Sequence, residues 1–365
     1  MSNNKNIKKL LALIFSLGVM FLDYNCFSQK NLSEKDIKDK LIRKYPIKSW
    51  WKELTLKNMY PQGDDVLKGR YFYLPADLEI CDNFLFVADS YLHKILKFDL
   101  EGNYIGEIGR KGEAPGEFNF PNNIRSSFND KLFILEGGRP RMQIIDKMGN
   151  YINEFKVFDF INRFIIIENC IYANCFYRDE TKKNPLITKY DISGKKVDAF
   201  GERIDQKGHR TYDSSVFLTH YENQLVCLFE HYPLMRIYDL DGKIIKEIKI
   251  KYMIFKELER LNYQKKFTNP APNIVRLARL FAGVEATEGR IFVLANLPRL
   301  EIIEMDLNGK IKNYYYSEAL RETANLSGFD VIIRKHKEIG NIILFYILQS
   351  YEEPKLYIFQ TKYQE

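Results

Sequence analysis

A short unit recurs along the chain and limits its fold more than any other feature of the sequence. Each copy has an alternating apolar segment, an Asp, two further residues, a Gly and a second alternating segment. The Asp side chain can cap a turn and Gly accepts the positive φ that such a turn needs, so each unit predicts a β-hairpin. The turns are Asp99–Gly102, Asp146–Gly149, Asp191–Gly194, Asp239–Gly242 and Asp306–Gly309.

The spacing of these turns predicts a propeller. Successive Asp positions lie 47, 45, 48 and 67 residues apart, and a repeat of about 45 residues is the size of a four-stranded blade. Two further strand-like segments precede each turn, and a sixth unit ends with Leu356–Phe359 but lacks a closing strand. Glu53–Lys57 alternates as a strand does and precedes the first unit. We therefore predict an all-β fold, a six-bladed β-propeller in which this N-terminal strand closes the last blade.

Residues 1–28 have the layout of a secretory signal peptide. Three Lys residues precede the apolar run Leu10–Leu22, and small residues precede a cleavage point after Ser28. The apolar run is too short for an ordinary membrane span. Cleavage would lower the formal net charge from +7 to +5. The expected location is the periplasm or the exterior. The alternative is an outer-membrane lipoprotein anchored through Cys26.

The remaining chain divides into a leader and one propeller. Residues 29–46 have the apolar spacing of a short helix that follows a capping Ser. The propeller is expected to occupy residues 47–365, with an insertion near 250–281 that contains a second helical pattern. This inserted helix would either cover one face of the ring as a lid or pack against the rim of a blade.

Four cysteines follow the predicted cleavage point, at positions 81, 170, 175 and 227. Their spacing matches no metal-binding motif. Because export would place them in an oxidising compartment, two interpretations stay open, which are buried apolar thiols or one disulfide.

The first two units resemble a known repeat. Leu85–Gly102 and its continuation Ile108–Ile124 look like NHL repeats, whereas later units keep only the Asp-x-x-Gly turn. The chain as a whole resembles the exported, NHL-like six-bladed propeller proteins that are common in Bacteroidetes. This resemblance implies an NHL- or TolB-like propeller and specifies no activity.

Propeller topology sorts the loops onto two faces. The Asp-x-x-Gly turns lie on one face of the ring, which we call the turn face. The loops between blades and the loops between second and third strands lie on the opposite face, which we call the loop face. The loop face carries the long irregular segments, which are the usual place for binding. Arg125 and Arg163, on innermost strands, would line the channel. The candidate ligand-binding residues are Arg139, Arg141, Arg110, Arg125, Arg163, Arg210 and Tyr232. A solvated surface that keeps the protein soluble is the competing interpretation of these charges.

These features predict a non-catalytic propeller of the bacterial cell envelope that binds a ligand or a protein through a basic loop face. The expected partner is a glycan, a peptide or an envelope protein, and the protein is expected to be a monomer. Export disfavours nucleic acid, and membrane contact is expected only if Cys26 is lipidated.

The alternative function is that of a metal-dependent propeller lyase or hydrolase acting at the central channel. Such an enzyme needs several His or acidic side chains that converge on one ion. The five His residues form no paired metal-ligand motif. We therefore predict no catalytic residue, no metal ligand and no cofactor.

Overall fold

The computed structural model describes residues 33–127, 129–157, 159–176, 184–204, 214–263, 277–321, 326–336, 340–351 and 353–363. The predicted signal peptide lies outside these residues. The described chain begins with helix α1, two strands that precede the first blade, and one short helix. These elements are α1 (Glu34–Lys44), β1 (Lys52–Glu53), β2 (Thr55–Tyr60) and α2 (Gly63–Leu67).

Six antiparallel blades form the propeller. The four strands of each blade lie side by side, in order from the central channel to the rim. Blade 1 has β3 (Pro75–Cys81), β4 (Phe84–Asp89), β5 (Lys94–Asp99) and β6 (Tyr104–Ile108); blade 2 has β7 (Pro121–Ser126), β8 (Lys131–Glu136), β9 (Arg141–Asp146) and β10 (Tyr151–Lys156). Blade 3 has β11 (Phe160–Ile167), β12 (Cys170–Phe176), β13 (Pro185–Asp191) and β14 (Lys196–Glu202); blade 4 has β15 (Val216–Tyr221), β16 (Gln224–Phe229), β17 (Leu234–Asp239) and β18 (Ile244–Lys249). Helix α3 (Met253–Tyr263) precedes blade 5, which has β19 (Phe281–Thr287), β20 (Arg290–Ala295), β21 (Arg299–Asp306) and β22 (Ile311–Arg321). Blade 6 has β23 (Leu326–His336), β24 (Gly340–Gln349), β25 (Lys355–Lys362) and, as its outermost strand, β2.

The ring is closed by the N-terminal strand, as the sequence predicts. Strand β2 pairs antiparallel with β25, so that Thr55 lies opposite Gln360 and Tyr60 lies opposite Leu356. The innermost strands contact one another in the order β3, β7, β11, β15, β19, β23 and back to β3. Closure thus covers the edge that blade 6 would otherwise expose.

The residues before this strand have a second role that the sequence did not indicate. Strand β1 pairs in parallel with β22, and Lys52 lies opposite Tyr315. Trp51 is buried and stacks on Tyr314, with ring centroids 5.0 Å apart and ring planes at 6°. The N-terminal segment therefore adds a fifth strand to blade 5 before it adds the fourth strand to blade 6.

The Asp-x-x-Gly turns have the predicted chemistry. The Asp146 carboxylate accepts hydrogen bonds from the backbone N–H groups of Met148 at 2.8 Å and Asn150 at 2.9 Å. Gly149 has φ of +92°, and a Cβ there would lie 2.9 Å from Ile108 in blade 1. Gly is thus required both by the left-handed backbone and by the close approach of the neighbouring blade.

The core lies between the blades, where Phe and Tyr rings pack among more numerous Ile, Leu and Val side chains. The largest fully buried side chains include Phe86, Phe292, Tyr172, Tyr238 and Tyr346. Such aromatic rings contribute large buried areas from few residues, which explains the surplus of Phe and Tyr in the composition.

The four cysteines of the described chain are free thiols, three of them buried and Cys170 half-buried. Burial raises the pKa of the Cys81 and Cys175 thiols to about 12. They pack as small apolar side chains, and the alternative of a disulfide does not hold in this structure.

Helix α3 packs its apolar side against the blades of the ring. Ile254, Phe255 and Leu258 are fully buried in a cluster that also contains Leu41 of α1 and Trp51. Of the two interpretations of the insertion, packing against the blades describes the residues up to 263.

Candidate functional site

The loop-face end of the channel holds one carboxylate between two arginines, which we call the upper charge cluster. Arg163 on β11 and Arg279, just before β19, both contact Glu230, which follows β16. The Arg163 Nη1 atom lies 3.0 Å from Glu230 Oε2, and Arg279 Nε lies 2.5 Å from Oε1. Although burial works to raise the pKa of Glu230, Arg279 and Arg163 hold it well below its usual range. The cluster therefore carries a net positive charge.

Deeper in the channel lie four carboxylates and one arginine, the lower charge cluster. The acids come from three blades and surround Arg125 of a fourth; they are Asp77, Glu79, Glu285 and Asp330. Arg125 Nη1 lies 2.6 Å from Asp77 Oδ2 and 3.8 Å from Glu79 Oε2. Burial, reinforced by mutual repulsion, raises the pKa of Glu79 to about 8 and that of Asp330 to about 6.

The acids of the lower cluster also join the blades. Each innermost strand has one edge that no strand covers, so its backbone N–H groups need other acceptors. Glu79 accepts from the N–H of Ser126 in the next blade at 2.8 Å, and Asp330 accepts from the N–H of Ile80 at 2.8 Å. These contacts give the channel carboxylates a structural role.

The described residues offer no ready metal centre. Within the described ranges, no group of three or more His, Cys, Asp and Glu side chains is arranged to hold an ion.

The two best candidate arginines are held by internal partners. The Arg141 side chain is only 6% exposed and lies 2.6 Å from Glu136 and 2.8 Å from Glu154. Arg139, 24% exposed, lies 3.2 Å from Glu136 and 3.4 Å from Glu113. Both guanidinium groups thus brace the loop that joins blades 1 and 2, and their charge is compensated.

The other candidates are distributed over the molecule. Arg110 is exposed but lies 2.8 Å from Glu117. Arg125 and Arg163 line the channel, where each has a carboxylate partner. Tyr232 is buried among apolar side chains of blades 3 and 4, so it does not edge the mouth of the channel. Arg210 lies outside the described residues. The role of these residues in ligand binding stays a prediction.

Exposed tyrosines on the loop face of blade 1 are a feature that the sequence reasoning missed. Tyr71 and Tyr73 precede β3 and are 46% and 49% exposed. Tyr73 stacks on Tyr91 from the loop between β4 and β5, with ring centroids 4.0 Å apart and planes at 15°. We call these three residues the tyrosine platform. The signal available in the sequence was the alternation of tyrosines on either side of Phe72 in a predicted loop.

A buried carboxylate fixes the platform. Asp89 is fully buried and accepts hydrogen bonds from the backbone N–H groups of Tyr73 at 2.7 Å, Leu74 at 3.0 Å and Tyr91 at 3.2 Å. Both segments that carry the stacked rings are therefore attached to the same acid at the end of β4. A ligand would meet a surface that is already ordered.

A family model described as a 6-bladed beta-propeller, DUF5128, matches residues 72–270 of the chain. The chain belongs to this family. The match runs from the residues before β3 to the insertion after blade 4, so it contains Tyr73 and Tyr91 of the tyrosine platform and Glu230. It confirms the six-bladed propeller that the repeats predict, while the closer resemblance to NHL repeats stays a prediction.

Two solved structures share the fold of this DUF5128 protein at low sequence identity. A Bacteroides fragilis protein provisionally named as exported is 12% identical, with a TM-score of 0.54 over 85% of this chain and 95% of that one. A Bacteroides vulgatus member of the duf4221 family is 14% identical, with a TM-score of 0.51 over 87% of this chain and all of the other. These similarities establish the architecture alone.

The described part of this DUF5128 protein contains no helix with the length and apolar character needed to cross a bilayer.

Proposed function

We propose that the protein is a non-catalytic binding module of the bacterial cell envelope that holds a carbohydrate on its loop face. The observation that carries the proposal is the tyrosine platform, in which the exposed ring of Tyr73 stacks on the half-buried ring of Tyr91 and both are held by a rigid backbone. Adjacent exposed aromatic side chains on a rigid scaffold form the kind of surface patch that marks binding sites.

The chemistry of tyrosine suits a sugar ring. An aromatic face packs against the apolar C–H side of a pyranose, and the phenol hydroxyl can exchange hydrogen bonds with sugar hydroxyls. The preorganised backbone around Asp89 lowers the entropic cost of binding.

The charges near the platform favour a neutral ligand. Arg110, Arg139 and Arg141 each have a carboxylate partner within 3.5 Å, so the loop face is less basic than its composition suggests. Among the expected partners, these internal ion pairs favour a polar ligand without strong charge, such as a glycan. The interpretation as a binding module also rests on the absence of a convergent metal-ligand set among the described residues.

The cell envelope is the proposed location. The layout of residues 1–28 supports export, and the provisional name of the Bacteroides fragilis structure is consistent with it. Release into the periplasm or the exterior and anchoring through Cys26 are distinguished by mass spectrometry of the N-terminus of the cellular protein.

The test is isothermal titration with neutral hexasaccharides of glucose, mannose and xylose. We expect one of them to bind, and we expect Tyr73→Ala and Tyr91→Ala to weaken its binding at least about fivefold, because each stacked ring contributes about 1 kcal/mol or more. Tyr151→Ala is the matched control, since Tyr151 is exposed on the outer strand of blade 2. Failure of all three sugars to bind, or equal binding by the platform variants, would rule out the platform as a carbohydrate site.

A further inference from the structure

The net charge of the protein is concentrated in two segments. Residues 33–53 contain seven basic and four acidic side chains, and residues 249–263 contain four basic and two acidic ones. Together they have a net charge of +5, which equals the net charge of the whole chain after Ser28. The remainder of the chain after Ser28 is therefore neutral overall.

The leader presents its basic side outward. Helix α1 buries Leu41 and packs Ile37 against the ring, while Lys40, Arg43 and Lys44 on the other side are exposed. The backbone carbonyl of Tyr45 accepts a hydrogen bond from Arg299 at 3.0 Å, which fixes the end of the helix on blade 5. The basic side is thus held in a defined orientation.

Helix α3 lies beside the leader and continues the same surface. Lys44 Nζ lies 3.4 Å from Glu257 Oε1, and Arg260 Nε lies 3.2 Å from Glu257 Oε2. While α3 buries its apolar side, it exposes Lys256 and Arg260. Glu257 compensates part of the charge but is itself only partly exposed.

Two large apolar side chains project from this basic surface. Trp50 is 61% exposed, although its ring touches Tyr314 with centroids 5.2 Å apart. Met253, at the start of α3, is 51% exposed. The ring of Trp51, next in the chain to Trp50, lies 6.2 Å from that of Tyr252, which places both projections on the same side of the molecule.

We propose that this surface, which comprises the exposed side chains of α1, Trp50 and α3, binds the anionic surface of a lipid bilayer. Lysine and arginine side chains beside an exposed Trp form the combination that holds peripheral proteins at the headgroup level, where cations meet lipid phosphates and the indole enters the interface. The carbohydrate proposal does not depend on this one, because the tyrosine platform belongs to blade 1.

The position of the surface in the chain agrees with this partner. The apolar run Leu10–Leu22 and Cys26 come shortly before α1 in the sequence. If either of them attaches the chain to a membrane, the attachment point is followed within a few residues by the basic helix. Binding through this surface would not require lipidation of Cys26. The sequence alone indicated membrane contact only through a lipidated Cys26.

The experiment measures co-sedimentation with vesicles of 30% phosphatidylglycerol in phosphatidylcholine and with vesicles of phosphatidylcholine alone. It uses the full chain and, in parallel, the form that begins at Gln29, which lacks the apolar run. We expect both forms to bind the anionic vesicles at least tenfold more tightly than the neutral ones, and 0.5 M NaCl to remove most of this difference.

The charge variant is Lys40→Glu, Arg43→Glu and Lys48→Glu combined. We expect it to lose at least tenfold in affinity for anionic vesicles. The matched control, which makes the same change in charge at exposed positions in blades 2 to 4, is Lys156→Glu, Lys196→Glu and Lys243→Glu. Equal losses in the two triple variants, or binding to a soluble polyanion such as heparin without binding to vesicles, would overturn the proposal.

Tryptophan fluorescence supplies an independent readout, because the chain contains only two Trp residues and Trp51 is buried. We expect anionic vesicles to shift the emission of the wild-type protein to shorter wavelength. In Trp50→Phe this shift should disappear while the unfolding temperature stays unchanged. A shift of equal size in Trp50→Phe would show that Trp50 does not enter the bilayer.

Discussion

The upper and lower charge clusters lie in one channel but shift the pKa of a buried carboxyl group in opposite directions. In the upper cluster two arginines surround Glu230, and the pKa of this acid falls well below its ordinary value. In the lower cluster four acids share Arg125, and the pKa values of Glu79 and Asp330 rise to about 8 and about 6. Burial is common to both, so the ratio of cations to anions decides the direction of the shift.

This difference has opposite consequences for the pH dependence of folding. Glu230 has a lowered pKa, so the stability that it contributes is present above the ordinary pKa of Glu and is lost only as the pH falls through the folded value. The acids of the lower cluster have raised pKa values, so their contribution is greatest below the ordinary value and is lost as the pH rises through about 6 and about 8. The upper cluster thus stabilises the ring at neutral pH, whereas the lower cluster favours mildly acidic conditions.

The largest expected effect is that of Glu230→Gln, which removes the charge between Arg163 and Arg279. Two partly buried guanidinium groups would then face each other without compensation, and we expect a loss of about 3 kcal/mol in the free energy of unfolding. Urea denaturation at pH 7.5 measures this loss. Glu222→Gln at an exposed turn is the control and should change the stability by less than about 0.5 kcal/mol. A loss as small as that of the control would show that the upper cluster is not a stabilising unit.

A somewhat smaller and pH-dependent effect is expected for Arg125→Met. Without this guanidinium the four acids of the lower cluster repel one another, and we expect a loss of about 2 to 3 kcal/mol at pH 8. At pH 5.5 more of these carboxyl groups are protonated, so the loss should be smaller by at least about 1 kcal/mol. Comparing urea midpoints at the two pH values tests this, and an equal loss at both would mean that Arg125 acts through packing alone.

The smallest expected effect has the opposite sign. The pKa of Glu285 is raised well above its ordinary value because of burial and the nearby charges of Asp330 and Glu79. Glu285→Gln should therefore stabilise the protein by about 1 kcal/mol at pH 8 and leave it unchanged at pH 5.5. Thermal unfolding at both pH values provides the measurement, with Glu288→Gln on the exposed turn as control. Destabilisation at pH 8 would show that the contact of Glu285 with Thr219 outweighs the repulsion.

The fold could be predicted because its signals are local. The Asp-x-x-Gly turn needs only five residues to define its hydrogen bonds, and five copies of it with a sixth, incomplete unit leave few alternative architectures. Closure by the N-terminal strand followed from a missing strand in the last unit. The pairing of β1 with blade 5 did not, since it depends on how Trp51 meets Tyr314, more than 260 residues away.

The site could be predicted only in part, because its groups come from distant positions. The sequence placed Arg125 and Arg163 at the channel, but their acids lie in other blades and cannot be assigned from a single chain. For Arg141, the prediction overlooked a partner that is close in the sequence. Its partner Glu136 is only five residues away at the end of the preceding strand, so the internal ion pair could have been anticipated from the hairpin.

The closure of the ring also fixes the order in which the protein can be completed. Thr55 and its partner Gln360 are 305 residues apart, and synthesis delivers the N-terminal residue first. Strand β2 therefore stays unpaired, with an open edge, until five further blades and most of the sixth have been made. Such a long-range final step makes folding slow and leaves the growing chain exposed to mispairing. The N-terminal segment that closes the propeller is thus also the part of the ring that stays unpaired longest.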